Sequence, residues 1–263
     1  MAARTPDIAV IGGSGFYTFF DSAVDRVEVE TPYGSPSAPI AIGEVAGRRT
    51  AFLPRHGERH QFPPHRVPYR ANMWALRSLG VRKVLSPCAA GSLTADLERG
   101  AFVVPDQLVD RTSGRIPTYF DEGAVHVPFA DPYCPDLRAA ALVAGAVDGG
   151  TMVVVEGPRF STRAESKWYA AQGWSLVNMT GHPEAVLARE LELCFAAIAL
   201  ITDLDAGADL GEGVRTAEVF AEFERNIEPF KELVRSAIAE APDSPDCAHC
   251  GVHNGVTLPL ELP

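Results

Sequence analysis

The chain has 263 residues, 46% of them hydrophobic, and a formal net charge of −11 at pH 7. That length fits one α/β domain with a sizeable core. The acidic balance excludes general electrostatic attraction to nucleic acid or an anionic membrane, so an anionic ligand would need a local basic patch or backbone amides.

In chain order, an apolar strand at residues 7–11 ends at Gly12-Gly13-Ser14-Gly15. It is too short and too soon broken by glycine to be a signal peptide or a membrane span, so a cytoplasmic location is expected. Strands at 40–42 and 49–53 lead into Arg55-His56-Gly57. A helix at 71–79 stops at Gly80. A short strand at 83–85 is expected to break at Pro87 and Gly91. Residues 105–135 form a polar, Pro-rich connection too long for a passive turn. A helix follows at 136–147, stopped by Gly149-Gly150, then a buried strand at 152–155 ended by Gly157-Pro158. Further on come a helix at 162–171, a strand at 175–177, a helix at 184–191 and an apolar strand at 195–201. A long amphipathic helix spans 216–239, with a distortion expected at Pro229. The tail from Pro242 is irregular. Strands alternating with helices define an α/β fold with a mixed central sheet flanked by helices. The expectation is one domain over 1–263, with 242–263 as an extended tail.

Three clusters carry chemistry. Gly12-Gly13-Ser14-Gly15 can curl backbone N–H groups around an anion, or be a tight turn; it matches neither a dinucleotide fingerprint nor a Walker loop. Arg55-His56-Gly57-Glu58-Arg59-His60 offers guanidinium forks suited to phosphate oxygens, or is a solvated basic loop. Asp203 and Asp205 face the same way if the backbone stays extended. Two close carboxyls raise one another's proton affinity, so one can stay protonated and donate a hydrogen bond while the other accepts one. Turn-forming aspartates or a metal-binding pair remain open there. Cys88 and Cys194 lie in apolar segments as buried thiols, and Cys134 in a Pro-rich loop. Cys247 and Cys250 have zinc-compatible spacing, but the sequence lacks the usual second pair, so no metal is assigned. A disulfide, a reduced pair and a site completed by another subunit stay open.

The segment Glu156-Gly157-Pro158-Arg159-Phe160-Ser161-Thr162-Arg163-Ala164-Glu165, followed by Asn178-Met179-Thr180, puts polar groups beyond strand ends, where α/β sheets bind ligands. With Thr31-Pro32-Tyr33-Gly34, Arg55-His56-Gly57, Gly91-Ser92-Leu93 and Asp131-Pro132-Tyr133-Cys134-Pro135, it resembles the trimeric purine nucleoside phosphorylase and methylthioadenosine phosphorylase family, in its methylthioadenosine branch. The resemblance covers nearly the whole chain. It implies a phosphate site at Ser14, Arg55, His56, Cys88, Ala89 and Thr180, where many relatives have threonine at Cys88. It implies nucleoside contacts from Asn178 and Met179, a purine flanked by Phe160 and Ser161, and Asp203 and Asp205 on its hydrogen-bonding edge. Thr216, Val219 and Phe220 fall where the family lines the 5′ pocket. His126 and Thr257-Leu258 fall where a neighbouring subunit closes it, which implies a homotrimer. Relatives specific for 6-oxopurine nucleosides carry a glutamate at the Ser161 position and an asparagine near Asp203; this chain has neither. The implied activity is phosphorolysis of methylthioadenosine or a related 5′-substituted adenosine. Catalysis would rest on Asp203, Asp205 and His56, with inorganic phosphate as co-substrate and no cofactor. Alternatives are a broad purine nucleoside phosphorylase, a methylthioinosine phosphorylase, signalled by Asn178-Met179-Thr180-Gly181-His182-Pro183, and a nucleoside-binding sensor.

Overall fold

In the computed structural model, the described residues are all except 1–4, 14, 17–18, 21–23, 207–212, 245–246 and 254. The central strands are apolar along almost their whole length because both faces of the sheet are covered. In β1 (Ile8–Gly12), Ile8 and Val10 join one core cluster while Ala9 and Ile11 join another on the opposite face. β11 (Cys194–Leu204) alternates in the same way: Ala196 and Ile198 turn to one layer, Phe195 and Ala197 to the other. Helices α2 (Pro135–Val143) and α5 (Thr216–Glu240) cover the first face. Helices α1 (Tyr69–Ser78) and α4 (Gly181–Glu190) cover the second. Each large aliphatic side chain buried between these layers contributes about 1.5–3 kcal/mol.

The sheet contains eleven strands among the described residues. β2 (Asp25–Val27), β3 (Ile40–Val45) and β4 (Arg48–Pro54) form an antiparallel edge, after which β4 pairs parallel with β1. β5 (Lys83–Ser92) pairs along its length with β11. Its other edge is shared. β1 pairs with it only as far as Leu85, and β10 (Leu176–Asn178) joins, antiparallel, at Gly91 and Ser92. Beyond β10 lie β9 (Thr151–Val155) and β7 (Gln107–Arg111). β6 (Phe102–Val104) joins β11, and β8 (Val147–Asp148) joins β6. Between Leu85 and Gly91, then, one edge of β5 has no strand beside it among the described residues.

Three expectations are corrected. β5 does not break at Pro87. The Pro87 carbonyl accepts from Arg55 Nη1 at 3.3 Å, on the edge that β1 has left. In an extended strand the missing N–H would point the same way, where no ladder needs it. The connection 105–135 contains a strand, β7, whose mixed polar sequence gave no clear alternation. The second helix ends at Val143, not 147, because Gly145 takes φ 105°, and Val147 belongs to β8. The last helix matches its expected span and includes Pro229.

The tail from Pro242 forms no helix or strand among the described residues, yet it is held to the body. Arg189 Nη1 donates to the His249 carbonyl at 2.8 Å, and Glu192 Oε1 accepts from the Val252 and His253 N–H groups at 2.9 Å each.

Candidate active site

A cavity of about 300 Å³ opens where β1 and β10 part along β5. Arg55, His56, Cys88, Ala89 and Thr180 line it, as do Phe160, Ser161, Asn178 and Met179. Asp203, Asp205, Thr216, Val219 and Phe220 complete the set of expected residues in its wall. Ser14 lies outside the described residues. His126 is exposed and, like Thr257 and Leu258, is not part of the wall.

Arg55, at the end of β4, is not a solvated loop residue; it is 1% exposed. Its Nε donates to Glu184 Oε1 at 2.5 Å, and Nη2 donates to Glu184 Oε2, Ser86 Oγ and the Ile11 carbonyl at 2.7–3.1 Å. Glu184, in the first turn of α4, is fully buried. This anchorage was invisible in the sequence. Of the five guanidinium N–H groups, one on Nη1 keeps no acceptor among the described residues, and Arg55 lines the cavity.

His56 is buried, and burial followed by the Arg55 charge lowers its pKa to about 4. It is neutral at physiological pH. Its Nδ1 lies 2.7 Å from the Phe62 carbonyl, which can only accept, so Nδ1 holds the proton and Nε2 presents a lone pair. Burial pushes the Cys88 thiol up to about 12, so it is a neutral, weak donor.

The other end of the cavity is carboxylate-rich. A register shift in β11 between Ile201 and Asp203 bulges the strand at Thr202, and Asp203 then pairs with Gly91. A side chain at position 91 would sit 2.8 Å from Asp203 Oδ1, so glycine is needed for the close approach. Burial raises Asp203 to about 6, opposed by the Thr202 hydroxyl, which donates to Oδ2 at 2.8 Å, and reinforced by the Asp205 charge. Asp205 is also raised, chiefly by burial. The Ser166 and Ser161 hydroxyls oppose that rise, yet Asp205 Oδ2 and Ser161 Oγ are both buried without a hydrogen-bond partner of good geometry among the described residues.

Ser161 is fixed by the start of α3 (Arg163–Ala171). Thr162 and Glu165 form a reciprocal capping box there, and Arg159 clamps Glu165 at 2.7–2.8 Å. Asn178 spends its amide on backbone: Nδ2 donates to the Ala89 carbonyl at 2.9 Å, and Oδ1 accepts from the Thr180 and Gly181 N–H groups at 2.7 Å. It thus ties β10 to the open edge of β5 and positions Thr180. Gly157 takes φ 63°, and a side chain there would meet Met179 Sδ at 2.6 Å.

Sequence reasoning missed Arg115. From the long connection it donates to the Met179, His182 and Glu156 carbonyls at 2.5–2.9 Å, holding the β9 end, the β10 end and the start of α4 together. A lone arginine in an irregular loop carries no local signal of that role. Phe223 joins Val219 and Phe220 in the apolar end of the cavity, where Phe220 remains 49% exposed.

The fold and this strand-end cavity define a nucleoside phosphorylase type of enzyme. The chain belongs to the phosphorylase superfamily, matched over residues 7–239. It is 68% identical over 257 residues to the S-methyl-5′-thioadenosine phosphorylase of Mycolicibacterium smegmatis, covering 97% of this chain and 99% of that one. It is 56% identical to a purine nucleoside phosphorylase of Streptomyces coelicolor, covering 96% and 98% of the two chains. Among solved structures, methylthioadenosine phosphorylase from Schistosoma mansoni in complex with adenine superposes with a TM-score of 0.85 at 37% identity, over 89% of this chain and 91% of that one.

Proposed function

We propose that the chain cleaves the N-glycosidic bond of S-methyl-5′-thioadenosine with phosphate, giving adenine and 5-methylthioribose 1-phosphate. The observation that carries this is the unsatisfied pair at the base end, Asp205 Oδ2 and Ser161 Oγ, beside a carboxyl raised to about 6. A 6-amino group donates to the Asp205 carboxylate; a 6-oxo group would face it acceptor to acceptor, at a cost of about 1–3 kcal/mol. Asp203, protonated, donates to N7 as negative charge builds on the departing base. Arg55 and the neutral His56 hold phosphate below C1′, with His56 Nε2 accepting from a phosphate hydroxyl. Catalysis is then placement and charge stabilisation, without a covalent intermediate. These groups meet both developing charges, so no cofactor is assigned.

Val219, Phe220 and Phe223 favour a methylthio group at C5′ over a hydroxyl. Thr216 and the Streptomyces coelicolor relative support a broader purine nucleoside phosphorylase as the second reading. The whole chain acts as one domain in a cytoplasmic homotrimer, in which His126 and Thr257-Leu258 reach a neighbour's 5′ pocket. The exposure of His126 and Thr257 on this chain supports that arrangement.

The test is chromatographic base release from methylthioadenosine, methylthioinosine, adenosine and inosine, with and without phosphate. Phosphate-dependent release, fastest from methylthioadenosine, is expected. Equal release without phosphate would mean a hydrolase. Faster turnover of methylthioinosine would move the chain to the oxo-purine branch, and binding without turnover would leave a sensor.

A further inference from the structure

The pair Cys247 and Cys250 finds in space the partners that the sequence did not show beside it. The sulfurs of Cys134, Cys194, Cys247 and Cys250 lie within 4.8 Å of one another, and all four are free thiols. They come from three parts of the chain. Cys134 caps α2, Cys194 opens β11, and the other two flank a turn in the tail in which the Cys250 N–H donates to the Cys247 carbonyl at 3.2 Å. Cys134, expected in a Pro-rich loop, is 1% exposed.

Cys134 Sγ and Cys247 Sγ are 3.9 Å apart. Four thiolates at about 2.3 Å from a tetrahedral zinc ion stand about 3.8 Å from one another. Disulfide sulfurs would be about 2.05 Å apart.

The surroundings carry the charge that such a centre requires. Cys134 stands at the N-cap position of α2, the positive end of that helix. The Lys83 ammonium is buried and lines the same small cavity as Cys134, Cys194 and Cys247. It makes no hydrogen bond among the described residues, and its ion pair with Asp7 is long, at 3.7 Å. A neutral pair of disulfides would not draw on that cation; a dianionic tetrathiolate would. The opposing group is Asp136, whose Oδ2 lies 3.7 Å from Cys247 Sγ.

We propose that Cys134, Cys194, Cys247 and Cys250 bind one zinc ion per chain as a structural tetrathiolate that fastens the C-terminal segment to the sheet. An all-sulfur donor set selects zinc over calcium, magnesium or manganese. Binding sends the thiol protons to solvent, and no electrons move. Lys83 and the α2 terminus act from outside the ligand shell, offsetting the double negative charge. The ion takes no part in phosphorolysis: Cys194 and Asp203 are separated by most of β11, about 30 Å at 3.3 Å per residue.

The experiment uses the full chain, expressed with zinc and purified in the presence of a reductant. Elemental analysis should find one zinc per chain, with the four thiols masked from Ellman's reagent until a chelator is added. Cobalt added to the chelator-stripped protein should give the intense visible bands of a tetrahedral cobalt thiolate. The double variant Cys247→Ser/Cys250→Ser should lose zinc by about tenfold or more. The cobalt titration of the unaltered chain stands whether or not that variant folds. Absence of both zinc and the cobalt thiolate bands would overturn the proposal. So would iron in place of zinc, or an intact mass short by one or two pairs of hydrogens in reductant-free buffer.

Discussion

Replacing Asp203 by asparagine should make the protein more stable above neutral pH while removing most of its activity. Burial raises this carboxyl from 3.8 to about 6. A raised acid holds more protons folded than unfolded, so stability is lost as pH rises from about 4 to about 6 and stays lost above. Roughly two units at about 1.4 kcal/mol each set the cost near 3 kcal/mol. Asparagine removes the buried charge, and its carbonyl can still accept from the Thr202 hydroxyl. Urea unfolding at pH 4, 6 and 8, at one fixed protein concentration, should show the variant's gain largest at pH 8, reduced at pH 6 and absent at pH 4. Base release should slow by about 10²–10⁴-fold. In the unaltered enzyme, kcat/KM should decline as pH rises past about 6 and the donor ionises. A variant no more stable than the parent at pH 8, or one whose gain ignores pH, would refute the reasoning.

Arg55→Ala should destabilise the fold by about 3–5 kcal/mol, because Glu184 is left buried and unpaired. The double variant Arg55→Met/Glu184→Met should recover most of that in thermal melts, yet show no stabilisation by added phosphate. Asp205→Asn should shift the kcat/KM ratio of methylthioadenosine to methylthioinosine toward the oxo-purine by about 10–100-fold; an unchanged ratio would remove Asp205 from base recognition. If sites are shared, mixing inactive Asp203→Asn with His126→Ala should restore part of the activity through mixed trimers. A fully active monomer by light scattering would defeat that arrangement.

The apolar runs of β1, β9 and β11 announce themselves, and the polar residues just past their ends make up much of the cavity wall. What was not legible depended on distance. Glu184 is 129 positions from Arg55, so nothing local marks the arginine as an anchored core residue. Pro87 looked like a strand break because the sequence cannot reveal that one edge of β5 lies open. Arg115 sits in irregular backbone with no periodicity to flag it. Cys134 and Cys194 looked like isolated thiols until α2 and β11 brought them to the tail. The line between readable and unreadable follows local pattern against long-range closure.

The shared edge of β5 also bears on how the chain is made. The β1 partner is already synthesised when β5 emerges, but β11, which covers the other edge along the whole strand, begins only at Cys194. At about 5–20 residues per second, roughly 5–20 s separate the two. During that interval the apolar strand Val84 and Leu85 onward stands half-paired, a template for intermolecular strand pairing. Nascent chains arrested between β5 and β11 should therefore aggregate or recruit chaperones, whereas arrest after Leu204 should not.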